Sequence, residues 1–253
     1  MVRDFTMAKY GELCRALLGA GYTPATVYQY LTDPPGGRTV VLRHDVDRKP
    51  ENALKMAELE HAFGITSTYY FRHPVTFVPE VIREIHALGH EVGYHYEVLA
   101  KAKGDYEEAI GLFASELEEL RGICDVRTIC MHGSPLSRYD NRDLWHNYDF
   151  RQFSIVGEAY LSLQGTNLCY FTDTGRNWDG KHSRRDVFQS MEKCKGIHTT
   201  SDLINVLTEN NKLQPYITIH PERWAISGGG WLSGYLKDNA INMGKKLIMA
   251  IQA

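Results

Sequence analysis

The feature that most constrains this chain is an alternation that starts at Thr39: short β-branched or aromatic runs, followed by helical segments that end on glycine. Thr39 to Arg43 reads as the first strand, and Pro50 opens a helix whose apolar positions Leu54, Ala57 and Leu59 precede Gly64. The second unit is a strand over 66–71 and a helix over 79–88 closed by Gly89; the third is a strand over 90–94 and a helix over 105–121. Further strands are expected at 126–131, 153–156, 168–172 and 216–219. Residues 1–37 form a helical lead-in, with Leu13, Ala16, Leu17 and Ala20 on one stripe, Gly21 as its stop and a Pro34-Pro35-Gly36-Gly37 turn after it.

About seven strands separated by helices, with no Pro/Ser-rich linker or charge block, predict one α/β domain over residues 1–253. Right-handed βα units in that number either close into a TIM-like barrel or lie open as a doubly wound sheet, and periodicity does not separate the two. The polar residues do. Reactive groups of a β/α barrel gather where the carboxyl ends of the strands meet one mouth. Here Asp45 and Asp47 follow the first strand, His95 the third, His132 the fourth, Asp173 the sixth and His220 the last.

Asp45 and Asp47 are two apart on an extended segment, so both side chains point to one side of the sheet and His44 to the other. Two carboxylates that close stay ionised in a dry pocket only beside a cation; otherwise they share a proton. Alone, the pair reads equally well as a turn or cap ahead of Pro50; with His95 and His132 at neighbouring strand ends it reads as a site. His90 begins its strand, away from the mouth, and is expected to make a structural hydrogen bond, as are His44, His61, His73, His86, His146, His182 and His198. Tyr69, Tyr70 and Phe71 read as core and barrel wall, while Tyr94, Tyr96, Trp178 and Trp224 are candidates to face a sugar ring.

Acids outnumber bases, 31 to 28, and no basic run could neutralise several phosphates, so nucleic acid is not an expected partner. The cysteines at 14, 124, 130, 169 and 194 form no C-x-x-C pair, which argues against a disulfide framework or a thiolate zinc site and for a reducing compartment. The first ten residues lack the apolar stretch of a secretory signal, and no segment reaches the roughly 18 apolar residues of a membrane span. A cytoplasmic protein with no membrane span is expected.

Several stretches together resemble the polysaccharide deacetylase family, carbohydrate esterase family 4, in particular a cytoplasmic branch with an Arg-His-Asp-Val-Asp motif. They are Leu42-Arg43-His44-Asp45-Val46-Asp47, Thr68-Tyr69-Tyr70-Phe71, Gly89 to His95, Met131-His132-Gly133-Ser134-Pro135, Phe171-Thr172-Asp173 through Trp178, and Ile217-Thr218-Ile219-His220. The resemblance implies a deformed (β/α)7 barrel that holds one divalent metal ion, zinc by preference, and removes an N-acetyl group from an amino sugar or saccharide precursor. By position it implies Asp45 as base, Asp47 and His95 as ligands, and His220 as the acid that protonates the leaving amine, with Asp173 a candidate to hold His220.

Two positions depart from the family pattern. The second histidine of the usual H-x-x-x-H falls at Leu99, and the arginine that opens the third motif is replaced by His132. His132 is therefore the expected third ligand, ahead of Glu97 and His44, and a histidine restored at position 99 is expected to help hold the ion. Arg176 is the candidate to orient Asp45. Leu99 also leaves room for a metal-free, allantoinase-like C-N hydrolase, and a saccharide-binding pseudoenzyme is the reading from another class.

Overall fold

The computed structural model describes residues 3–133, 137–180, 196–226, 228–232 and 234–236; His182, Cys194 and Ser134-Pro135 lie outside them. Helix α1 (Met7–Gly19) starts where the Thr6 hydroxyl accepts from the Lys9 N–H, a cap that satisfies one of the free amides of the first turn. Strand β1 (Thr23–Ala25) and helix α2 (Val27–Thr32) follow, then the alternation: β2 (Thr39–Val46), α3 (Pro50–Ala62), β3 (Thr68–Phe71), α4 (Pro79–Ala87) and β4 (Glu91–Tyr96). Proline opens both α3 and α4, where its missing N–H costs nothing. The chain continues through α5 (Val98–Lys101), α6 (Tyr106–Arg121), β5 (Thr128–Met131), α7 (Leu144–Asn147), β6 (Gly157–Glu158), β7 (Cys169–Thr172), α8 (Thr200–Glu209) and β8 (Pro215–Ile219).

The strands pair in the order β6-β5-β4-β3-β2-β8-β7, every neighbour parallel, with short β1 beside the start of β2. Seven parallel strands with helices outside them make a deformed (β/α)7 barrel. Among the described residues no ladder joins β6 to β7. The Tyr216 hydroxyl donates to the Ala159 carbonyl (3.0 Å), and the Tyr160 and Tyr170 rings meet with centroids 6.2 Å apart, so side chains bridge the gap.

Period-two alternation sorts the residues. Val40 and Leu42 of β2, Phe171 of β7, and Ile217 and Ile219 of β8 pack with Leu13 and Leu17 of α1 and Leu203 and Leu207 of α8. The residues between them face the barrel interior, which is polar: Arg43 and Asp45 stand beside Thr68 and Tyr70 in the ladder, and His95 beside Cys130. Gly93 is required here, because a Cβ would overlap the Tyr70 ring and come within 2.9 Å of the Thr128 carbonyl.

Three expectations are corrected. Strand β2 runs to Val46, so Asp45 lies inside it; β3 and β8 flank it and satisfy its backbone beyond Arg43. The strand expected at 153–156 is instead a 3-10 turn (Phe150–Phe153) followed by a two-residue strand at Gly157–Glu158. The lead-in is not helical throughout: β1 extends the sheet, while α1 lies on α8 and α3.

Outside the sheet, a fully buried carboxylate ties five elements together. Glu60 of α3 accepts from Ser67 (2.6 Å), Tyr69 (2.7 Å) and Tyr10, and lies 2.9 Å from His44 Nε2 and 3.7 Å from His90 Nδ1. Burial pushes its pKa up, but His44, His90 and the Ser67 hydroxyl outweigh burial and hold it at about 2. A carboxyl depressed on folding stabilises the protein above its unfolded pKa, near 4.5, and that contribution is lost as pH falls toward 2. Glu60→Gln, which turns an amide N–H toward these donors, is expected to cost about 3 kcal/mol and to flatten the acid limb of urea-denaturation stability between about pH 5 and 2; an acid limb that Glu60→Gln leaves intact would remove Glu60 as its source.

Candidate functional site

The interior faces of β2, β4, β5 and β8 deliver side chains to one mouth. Asp47, one residue past β2, carries the oxygen at its centre: Oδ1 lies 3.3 Å from His95 Nε2 and 3.4 Å from His132 Nε2. Neither contact has hydrogen-bond geometry, and this oxygen is a buried acceptor with no donor. Oδ2 lies 4.0 Å from His220 Nε2. Burial raises the Asp47 pKa, but the surrounding imidazoles, His132 foremost, carry it well below the carboxylate range.

The other ring nitrogen of each histidine is held. His95 Nδ1 meets the Cys130 carbonyl at 3.0 Å, and a carbonyl only accepts, so Nδ1 carries a proton and Nε2 is the nitrogen turned toward Asp47. His132 Nδ1 meets Glu97 Oε2 at 2.9 Å, with the same consequence. Arg72 donates to Glu97 Oε1 (2.7 Å) and to the Asp47 carbonyl (3.2 Å), closing a ring from Asp47 through His132, Glu97 and Arg72 back to Asp47. Burial opposes ionisation of Glu97, yet His132 and Arg72 hold its pKa down at about 2. Nitrogen and oxygen ligands about 2.0–2.2 Å from a tetrahedral zinc stand about 3.4 Å apart, which is the spacing of Asp47 Oδ1 from each Nε2. The donor types and these two distances of Asp47, His95 and His132 suit a divalent ion.

A second donor set overlaps the first: ligand atoms of Asp45, His95 and Cys130 lie within 4.8 Å of one another. Its carboxylate is already committed. Arg43 Nε donates to Asp45 Oδ1 and Nη2 to Oδ2, both at 3.0 Å, in a fully buried bidentate pair. The guanidinium on Asp45 is thus that of Arg43, two residues earlier on the same face. Arg176, expected in that role, has its guanidinium 5.8 Å from the Phe5 ring centroid instead.

At the end of β8, His220 Nδ1 donates to Asp173 Oδ1 (2.6 Å), while the His220 amide and Trp224 Nε1 donate to Oδ2 (3.0 and 2.8 Å). Burial and Arg223 pull the His220 pKa down, but Asp173 and Asp47 prevail and raise it to about 9. Glu222 follows two residues later, its Oε1 3.4 Å from Arg48 and its Oε2 buried without a donor; burial and then Asp47 push its pKa up to about 7.

Asp45, Asp47, His95, His132, Asp173 and His220 thus come together, and Arg176 does not join them. Leu99 is core, 1% exposed in α5. His44 leaves the mouth for Glu60, and His90 makes structural contacts with Ala57 and Ser67. Tyr94, Tyr96, Trp178 and Trp224 are buried, so none faces a sugar. Arg43, Cys130, Arg72 and Glu222 went unpredicted. Arg43 and Cys130 lay two residues before Asp45 and His132, a spacing that already placed them on the interior face.

No family model matches the sequence, and no curated protein does. Among solved structures, the chain is similar to a family 4 carbohydrate esterase from Bacillus anthracis at 12% identity, with 93% of this chain and 86% of that one covered and a TM-score of 0.44. A CE4 esterase from Streptococcus mutans shows 11% identity over 88% of this chain and 86% of that one, TM-score 0.46. A mutant of a CE4 family pseudoenzyme with restored activity shows 11% over 76% and 70%, TM-score 0.46.

Proposed function

We propose that the chain is a metal-dependent amide hydrolase that removes an N-acetyl group from an amino sugar or saccharide precursor. The observation that carries this reading is Asp47 Oδ1, buried without a donor and shared by the Nε2 atoms of two histidines whose Nδ1 atoms are fixed. Asp47, His95 and His132 would hold one divalent ion, zinc by ligand type. When bound, the ion supplies Lewis acidity for the acetyl carbonyl and acidifies water. Asp45, oriented by the bidentate Arg43 pair, takes the proton from the attacking water at a carboxylate oxygen. His220 stands on the other side of Asp47, with its Nε2 toward the site and its Nδ1 anchored on Asp173, and delivers a proton to the departing nitrogen. The buried cysteines Cys14, Cys124, Cys130 and Cys169 support a cytoplasmic setting, and among the described residues no helix is long and apolar enough to cross a membrane.

The reading is tested by zinc content after dialysis against a chelator, together with acetate release from N-acetylglucosamine and its nucleotide-linked form. A metal-free parent that still hydrolyses amides would transfer the site to the allantoinase-like chemistry, and a metal-free, inactive parent that binds saccharide would make it a pseudoenzyme. His220 has its own test. His220→Ala is expected to reduce acetamide hydrolysis by about a hundredfold or more, and to affect an activated acetate ester far less, because an amine leaves only when protonated whereas a phenolate needs no proton. Equal losses on the two substrates would take His220 out of the acid role.

A further inference from the structure

The two donor sets share His95, so one ion has two positions open to it: Asp47, His95 and His132 toward the mouth, or Asp45, His95 and Cys130 deeper in the barrel. The deeper set is the more enclosed. Asp45, His95 and Cys130 are each at most 3% exposed, and Cys130 Sγ lies 4.0 Å from Asp45 Oδ1. Thiolate is also the stronger zinc ligand by softness. Ligand chemistry alone would therefore draw a zinc ion down, where Asp45 would be a ligand and no base would remain.

Arg43 opposes that. It occupies both oxygens of Asp45, and its own orientation is fixed by Tyr216, whose hydroxyl accepts from Nη1 at 2.5 Å, and by the Tyr160 and Tyr216 rings at 4.3 and 5.4 Å from Cζ. A guanidinium so held satisfies both oxygens of Asp45 without a metal, and its fixed positive charge repels a second cation from the same carboxylate. We propose that Arg43 is a positioning residue that selects between the two overlapping metal positions, keeping the ion on Asp47, His95 and His132 and leaving Asp45 free as base. The inference rests on the metal-dependent reading above. Without Arg43 the ion moves to the deeper position, the Cys130 thiol gives its proton to solvent and forms the Cys130–metal bond, and Asp45 changes from base to ligand.

The test is cobalt(II) in place of zinc, because cobalt bound to thiolate shows a near-ultraviolet charge-transfer band that nitrogen and oxygen ligands do not give. The parent is expected to bind cobalt without that band. Arg43→Met, similar in length and uncharged, is expected to bind cobalt with the band, to lose it again in Arg43→Met/Cys130→Ser, and to fall at least about a hundredfold in turnover, as a displaced catalytic group does. Arg43→Lys, which keeps the charge but cannot span both oxygens, gives the same comparison if the methionine variant does not fold, with a weaker band expected. A thiolate band in the parent, or cobalt bound without one in the Arg43 variants, overturns the proposal. A parent that binds no cobalt overturns the metal reading beneath it, which is a different result.

Discussion

Asp45→Asn is expected to lower turnover by about a thousandfold, the upper range for loss of a general base, while zinc content stays at the parent level. The amide keeps the shape of the side chain but has no basic oxygen pair, and the Asp47, His95 and His132 atoms do not depend on it. The structure adds a cost that sequence reasoning did not include. Arg43 donates to both oxygens of Asp45 at 3.0 Å, and an asparagine turns an N–H toward one of those donors. Stability should therefore fall by about 1–3 kcal/mol, the usual penalty for a buried donor left unpaired. That loss lowers Tm; it is too small to unfold an ordinary domain, so the fall in turnover at 25 °C still reports chemistry. Acetate release, bound zinc and thermal unfolding of the one variant separate the outcomes. Loss of zinc would make Asp45 a ligand, and turnover within tenfold of the parent would remove it as the base.

The barrel was legible because its signals are local. Glycine stops, prolines at helix starts and β-branched runs mark each βα unit, and they located most strands to within two residues. They failed where pairing decides. Strand β2 extends through Asp45 because two neighbours satisfy its backbone, and β6 is two residues long, paired with β5 only at Gly157 and Glu158; the strand sequence itself records neither pairing. The candidate site was legible for the same reason as the fold: Asp45 and His95 are the last but one residues of β2 and β4, and Asp47, His132 and His220 each follow a strand directly. What escaped was the shell behind them. Arg72 and Glu97 act through contacts between segments 25 and 35 residues apart, Arg72 with Glu97 and Glu97 with His132, and one-dimensional spacing carries no trace of such a pair. Arg176 shows the opposite error. It was chosen for nearness to Asp173 in sequence, whereas the partner that Asp45 needed sat two residues away on its own strand.

His132 is where this chain departs furthest from the pattern it resembles, and His132→Ala is expected to lower zinc affinity by at least about tenfold, the loss typical of a supporting group, and by more if it is a ligand. With His132 gone, Asp47 and His95 alone face the ion, and Glu97 loses the imidazole that helps hold its pKa near 2. Glu97→Gln separates the two contributions: the amide can still accept from His132 Nδ1 but carries no charge, so an affinity loss of about tenfold is expected there and a larger one in His132→Ala. The structure also reverses the rescue that sequence spacing predicts. Leu99 belongs to the hydrophobic core, 1% exposed, with Val98 and Tyr96 in the same cluster. Leu99→His would bury an imidazole without a partner, at about 1–3 kcal/mol, and should not return zinc to His132→Ala. The measurement is zinc retained against a graded chelator series by the parent, His132→Ala, Glu97→Gln and His132→Ala/Leu99→His, with thermal unfolding of each. Parent-level retention in His132→Ala would reject its ligation, and full recovery in the double variant would mean that position 99 opens to the mouth after all.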